Sequence, residues 1–224
     1  DQQQRISSTI REYSAQGADR TATEVDNISG QWLADRITAM GIDATLQPFS
    51  LDQVNVISAQ LHWQGGVIDA VPAYDCNCTD GDGLLGSMGE LNSGAEIGVI
   101  MSAANGPIAA SIRKTRMSGA HKVIVVVASD AMPGQGTTVI NADNFTDPFG
   151  PPVLHIPHYA WLELKQAVDA GASARVVAHC QRTPGTAVNV EAKIEGSGSD
   201  LSPMVIMTPR SGWWRCTSER GGGI

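Results

Sequence analysis

The side chains with most chemistry to offer are five histidines, four cysteines and a knot of acidic residues near position 80. His155-Ile156-Pro157-His158 sets two imidazoles three apart, a spacing that could serve a metal. Across a strand-to-helix corner the two rings need not face each other, so structural roles are expected. His62, His121 and His179 each stand among apolar neighbours, where a satisfied structural imidazole is the expectation. Cys76-Asn77-Cys78 lies in a loop, with Cys180 and Cys216 far along the chain, too sparse for a disulfide scaffold. Unbridged thiols or one local bridge fit; a soft-metal site would want more thiolate or imidazole nearby. Asp75, Asn77, Asp80 and Asp82 gather oxygens as a calcium loop does, without the ordered spacing and terminal glutamate of an EF-hand. Gly134-Gln135-Gly136 lacks the spacing of a dinucleotide loop, and no Gly-x-Ser-x-Gly elbow supports a serine hydrolase.

The elements that must position these residues follow from periodicity. Residues 6–13 and 24–40 carry apolar residues at helical spacing, with Val25, Ile28, Trp32, Leu33, Ile37 and Met40 on one stripe. Thr23 is a hydroxyl N-cap for the second helix, and Gly41 supplies the left-handed residue that ends it. Residues 42–49 alternate like a strand, and the texture after Leu51 is β-rich. Residues 96–101 (strand), 108–118 (helix, with Ile112 and Met117 inward, stopped by Gly119) and 121–129 (strand) form a strand-helix-strand unit, which packs its strands parallel. The Gly/Pro/Asn-rich stretch 132–152 is read as an irregular connection. Strand, helix and strand resume at 153–156, 158–170 and 174–178. Two further strands, 186–194 and 204–208, are joined by a Gly/Ser turn.

Composition bounds the partners. The formal net charge is −8 and the 15 basic residues are scattered, so no basic face is offered to nucleic acid. The longest strongly apolar run, Val123-Ile124-Val125-Val126-Val127-Ala128, is far short of the ~20 residues that span a bilayer as a helix and suits a buried strand. The chain opens at Asp1 without an initiator Met or a signal-like apolar stretch, so a trimmed start or a removed signal peptide both fit, the latter implying a secreted or periplasmic protein.

A family resemblance rests on both ends of the chain. Residues 23–42, from Thr23-Glu24-Val25 to Ala39-Met40-Gly41-Ile42, resemble the early helix of the zinc-dependent aminopeptidases, whose α/β domain holds two neighbouring metal ions. Val188-Asn189-Val190-Glu191-Ala192-Lys193-Ile194-Glu195-Gly196 is similar to that family's valine-asparagine-valine strand. Residues 97–127 and 152–177 are similar to the protease-associated domain that many such enzymes carry as an insertion. The resemblance therefore implies an α/β class, with a peptidase-like domain over 1–50 and 186–224 interrupted by a β-rich protease-associated domain over 51–185.

The same resemblance places chemistry at the end of the strand 204–207, where the family has a His-x-Asp pair. Thr208-Pro209-Arg210 stands there instead. Threonine is a poor zinc ligand, and a guanidinium is a fixed cation without a lone pair to give. The family's bridging Asp-Asn pair has its best match at Glu219-Arg220, so Glu219 is the one candidate metal ligand. Arg210, with Trp213 and Trp214, is the candidate substrate-binding group. In the family a metal-activated water attacks the carbonyl while a glutamate moves protons. The expectation is thus an aminopeptidase-like metallohydrolase homologue, acting on peptides or small amides, with zinc belonging to the complete protein and the chain as given inactive or incomplete. The alternatives are a non-catalytic peptide- or partner-binding module and a two-domain ligand-binding protein unrelated to peptidases.

Overall fold

The computed structural model describes residues 2–102, 107–129, 137, 139–198 and 202–212. They form helices α1 (Gln2–Gln16), α2 (Glu24–Thr38), α3 (Pro107–Ser118) and α4 (Trp161–Asp169). The strands are β1 (Ala44–Trp63), β2 (Gly66–Asp69), β3 (Val71–Pro72), β4 (Leu84–Glu90), β5 (Ile97–Ser102), β6 (Val123–Ala128), β7 (Val153–Ile156) and β8 (Ser173–Ala192). The sheet order is β2-β1-β8-β4-β5-β6-β7-β3, a mixed eight-stranded sheet. The chain divides into two compact units, residues 1–53 with 183–224 and residues 54–182.

The unit of residues 54–182 is built on the parallel run β4, β5, β6 and β7. All six residues of β6 are buried, as expected for a parallel strand covered on both faces. Alternation divides them: Val123, Val125 and Val127 pack with Leu61, Met88, Leu154, Leu164 and Val176. Ile124 and Val126 pack with Ala73, Cys76, Ile112 and Val153. Thus α4 closes one face through Leu164 and Val168, and α3 the other through Ile112. Met117, expected inward on α3, is 71% exposed. One turn and a half past Ile112 it has rotated off the contact stripe, because 12 residues of helix meet the sheet along a single line.

Two close approaches hold this unit. A Cβ on Gly98 would lie 2.6 Å from the His121 ring, so glycine in β5 makes the slot that imidazole fills. His121 Nε2 accepts from Asn92 N–H at 2.8 Å and its Nδ1 lies 2.6 Å from the Ala95 carbonyl. That arrangement requires the neutral ring with hydrogen on Nδ1. Gly83 has φ of +74°, and a Cβ there would meet the Val176 carbonyl oxygen at 2.3 Å.

In the other unit, Thr23 caps α2 by accepting from Asp26 N–H, and Gly41 follows the helix with φ of +80°. The buried face of α2 is Asp26, Ser29, Gly30 and Ala34, not the expected apolar stripe. Ile28 and Met40 are 55% and 67% exposed. A Cβ on Gly30 would stand 2.6 Å from Val188 Cγ2, so β8 approaches α2 along its small residues, and a bulkier face could not lie so close. Residues 174–178 and 186–192 are parts of one strand, β8, rather than two. Residues 204–207, expected as a strand, carry no regular structure, and their side chains are 84–91% exposed. An apolar β-branched run becomes a strand only where a neighbouring strand accepts its hydrogen bonds, and among the described residues no strand pairs with 204–207.

Candidate functional site

Arg210 and Gly212 are seated by polar contacts. Arg210 sends its guanidinium between α2 and β8: Nη1 lies 2.8 Å from Asp26 Oδ1 and donates to the Asp26 carbonyl, and Nη2 donates to the Val188 carbonyl at 3.2 Å. The side chains of Arg210 and Asp26 are 10% and 1% exposed, so the pair is withdrawn from water. Asp26 Oδ2 is occupied by the Ala22 N–H at 3.0 Å. Ala22 itself takes φ of +68°, the bend that turns its N–H back onto the carboxylate.

Around this pair stand Tyr13 and Asp19. The Tyr13 hydroxyl donates to the Arg210 carbonyl at 2.6 Å, and Gly212 N–H donates to the Asp19 carbonyl at 2.9 Å. Burial raises the pKa of Asp19 above its ordinary value, and burial does the same for Asp26 although Arg210 partly offsets it. Tyr13 is likewise pushed up, first by burial and then by the Asp19 charge. The effect is a clamp: one cation neutralises a buried carboxylate and fixes two carbonyls. Its guanidinium has no lone pair, and its hydrogens point at protein acceptors.

Of the other candidates in this stretch, Thr208 is exposed, and its hydroxyl lies 3.5 Å from the Pro209 carbonyl. Trp213, Trp214 and Glu219 lie outside the described residues, as do Cys216 and Arg220. Among the described residues no group of three or more His, Cys, Asp or Glu side chains is placed to hold a metal ion. These described residues therefore do not fit zinc. Of the histidines expected to be structural, His155 and His158 have hydrogen-bond partners in the fold, as His121 does. His155 is fully buried, accepts from Ile140 N–H at Nε2 and lies 3.1 Å from the Val71 carbonyl at Nδ1; burial depresses its pKa to about 4. His158 Nδ1 lies 3.0 Å from the Ala128 carbonyl.

The acidic knot near residue 80 is taken apart in the same way. Asp75 is 1% exposed and pairs with Arg116 at 3.0 Å, while its Oδ2 accepts from Asp143 N–H at 2.7 Å. Asp80 Oδ1 accepts from the backbone of Asp82 and Gly83, closing a turn. Neither carboxylate is left to ligate calcium with the other.

Beside the Asp75–Arg116 pair the unit of residues 54–182 opens a cleft of about 560 Å³, lined among others by Arg113, Arg116, Met117, His121, Asn144 and Phe149. Arg116 stacks on Phe149 with its guanidinium carbon 3.9 Å from the ring centroid. Arg113 pairs with Asp143 at 3.2 Å. Each cation at this cleft already faces a carboxylate, and both nitrogens of His121 are engaged. The cleft can hold a ligand by shape and by the Phe149 ring; it presents no activated nucleophile. Sequence reasoning missed Tyr13, Asp19, Asp26 and Arg116 because each partner lies many residues away: 184 for Asp26 with Arg210 and 41 for Asp75 with Arg116.

No family model matches the chain, and no curated protein sequence matches it significantly. Solved structures do match. BSAP, a zinc aminopeptidase from Bacillus subtilis, aligns at 18% identity over 84% of this chain and 46% of its own, with a TM-score of 0.65. A peptidase M28 precursor from Shewanella amazonensis SB2B aligns at 12% identity over 85% of this chain and 50% of its own, with a TM-score of 0.66. An aminopeptidase from Aneurinibacillus sp. strain AM-1 aligns at 14% identity over 87% and 48%, with a TM-score of 0.58. The chain thus shares the α/β fold of zinc aminopeptidases, and it spans about half the length of the solved structures it matches.

Proposed function

We propose that this chain is the front portion of an aminopeptidase-like metallohydrolase homologue, directed at peptides or related amides, in which the first metal-ligand position has been replaced by a structural clamp. Residues 1–50 and 186–224 make up its peptidase-like domain, and 51–185 its protease-associated insert. The observation that carries this reading is Arg210. Where the resemblance puts a metal-ligating aspartate, this chain has a guanidinium committed to Asp26. A divalent ion beside it would meet a fixed positive charge, and the loss of a His and an Asp removes most of the affinity of a zinc site. In this reading Trp213 and Trp214 are the candidate substrate-binding residues that follow the clamp in sequence, and Glu219 is the candidate metal ligand.

Zinc analysis and an aminoacyl-anilide assay on the full-length protein test this. The expected result is no stoichiometric zinc and no turnover. Bound zinc with turnover that Glu219→Gln abolishes would overturn the replacement. The second reading, a non-catalytic module that binds a peptide or partner, is favoured by the cleft at Phe149, whose charges are paired in advance. Peptide capture by the wild-type protein that Phe149→Ala abolishes supports it; capture that survives the substitution refutes it.

A further inference from the structure

The three described cysteines divide into one that is locked away and two that meet. Cys76 is 4% exposed among Ala73, Ile112 and Ile124; its thiol donates to the Ala73 carbonyl at 3.0 Å and accepts from Val153 N–H. Burial raises its pKa to about 11, so it stays a thiol, inert as a nucleophile. Cys78, two residues on, points the other way and is exposed. Its neighbour comes from β8: the Cys180 side chain and backbone N–H stand within hydrogen-bonding reach of the Cys78 sulfur, and neither sulfur is in a disulfide.

The backbone holds the two segments in this register. Thr79 bridges His179, with Thr79 N–H donating to the Ala178 carbonyl at 2.9 Å and Ala178 N–H donating to Thr79 Oγ1 at 2.9 Å. Asp80 then closes its turn, and Gly83 passes against the Val176 carbonyl. Arg182, anchored to the Tyr74 carbonyl at 2.7 Å and stacked on Phe145 at 4.8 Å, brings a positive charge to the pair. These contacts, the Cys180 thiol first, lower the pKa of Cys78 to about 7. A partly exposed thiolate beside a second thiol is the arrangement in which thiol–disulfide exchange is fast.

We propose that Cys78 and Cys180 form a redox-active dithiol that reacts with low-molecular-weight disulfides such as oxidised glutathione, Cys78 attacking and Cys180 resolving. Cys78 thiolate attacks one sulfur of glutathione disulfide, breaking that S–S bond and releasing one glutathione thiolate. Cys180, giving up its proton to that thiolate, attacks the Cys78 sulfur of the mixed disulfide and expels the second glutathione. The second glutathione leaves as a thiolate and takes up the proton that Cys78 had released on ionising; in sum the dithiol gives up two electrons and two protons to become one disulfide, and one glutathione disulfide becomes two thiols. The bridge would tie the loop after β3 to β8 within the unit of residues 54–182.

The test uses the full chain incubated with glutathione disulfide at pH 7, followed by non-reducing peptide mapping. Wild type is expected to yield the Cys78–Cys180 cross-linked peptide, lighter by two hydrogens, with no glutathione retained. Cys180→Ser is expected to stop halfway, with one glutathione on Cys78. In the reduced wild-type protein, alkylation of Cys78 should outrun that of Cys76 by more than about a thousandfold. Glutathione accumulating on wild-type Cys78 without a cross-link, a bridge to Cys76 or Cys216 instead, or no reaction at either thiol would each overturn the assignment.

Discussion

Replacing Arg210 with methionine keeps the length of the side chain and removes its charge, and so isolates the electrostatic part of the clamp. Asp26, 1% exposed, would then face its surroundings alone. Removing one partner of a buried pair costs about 3–5 kcal/mol. The aspartate has an escape, because it can take up a proton. From an ordinary value of 3.8, protonation at pH 7 costs about 4 kcal/mol, which sets the ceiling for the charge penalty there. At pH 5 the same ceiling falls to about 2 kcal/mol. Arg210→Met should therefore destabilise the unit of residues 1–53 and 183–224 by about 3–4 kcal/mol at pH 7 and clearly less at pH 5. Asp26→Asn in the same chain removes the stranded charge, so the double variant should recover about 2 kcal/mol at pH 7. Urea unfolding followed by circular dichroism at the two pH values measures all four proteins. A loss below about 1 kcal/mol for Arg210→Met at pH 7, or a loss that does not shrink at pH 5, would refute the clamp.

Other consequences can be checked with the same instruments. His155 is held neutral with its pKa depressed to about 4 from 6.5, so its contribution is complete above 6.5 and disappears as pH falls toward 4, by about 3 kcal/mol; His155→Gln should flatten that slope in acid titrations of stability. Asp19 and Asp26 have pKa values raised in the fold, so their protonated forms favour it: stability from these groups is present below 3.8 and is lost as pH rises through the raised values. Tyr13 is raised as well, so stability should fall as pH climbs above 10, and Tyr13→Phe should remove that alkaline loss in ultraviolet-monitored melts. Gly83→Ala would put a Cβ on the Val176 carbonyl at a positive φ, a substitution expected to cost about 2–4 kcal/mol, whereas Gly119→Ala, with open space around it, should cost only about 1–2 kcal/mol.

What could be read without coordinates was local. The six-residue apolar run of β6, the glycines that end α2 and α3, and the Thr23 cap are set by period, by steric freedom at positive φ and by a hydroxyl one turn from a free N–H. The parallel strand-helix-strand unit followed from those elements, since a strand, a crossover helix and a second buried strand have one common way to pack. Long-range choices were hidden. The apolar stripe of α2 argued for one buried face, but Gly30 against Val188 and Asp26 against Arg210 turned the other face inward. Residues 204–207 have strand-like side chains, and strand formation awaits a hydrogen-bonding neighbour that periodicity cannot supply. The pairing of Cys78 with Cys180 and of Asp26 with Arg210 joins residues more than a hundred positions apart. No composition or spacing encodes such meetings: a charge or a thiol states what it can do, and the fold decides what it faces.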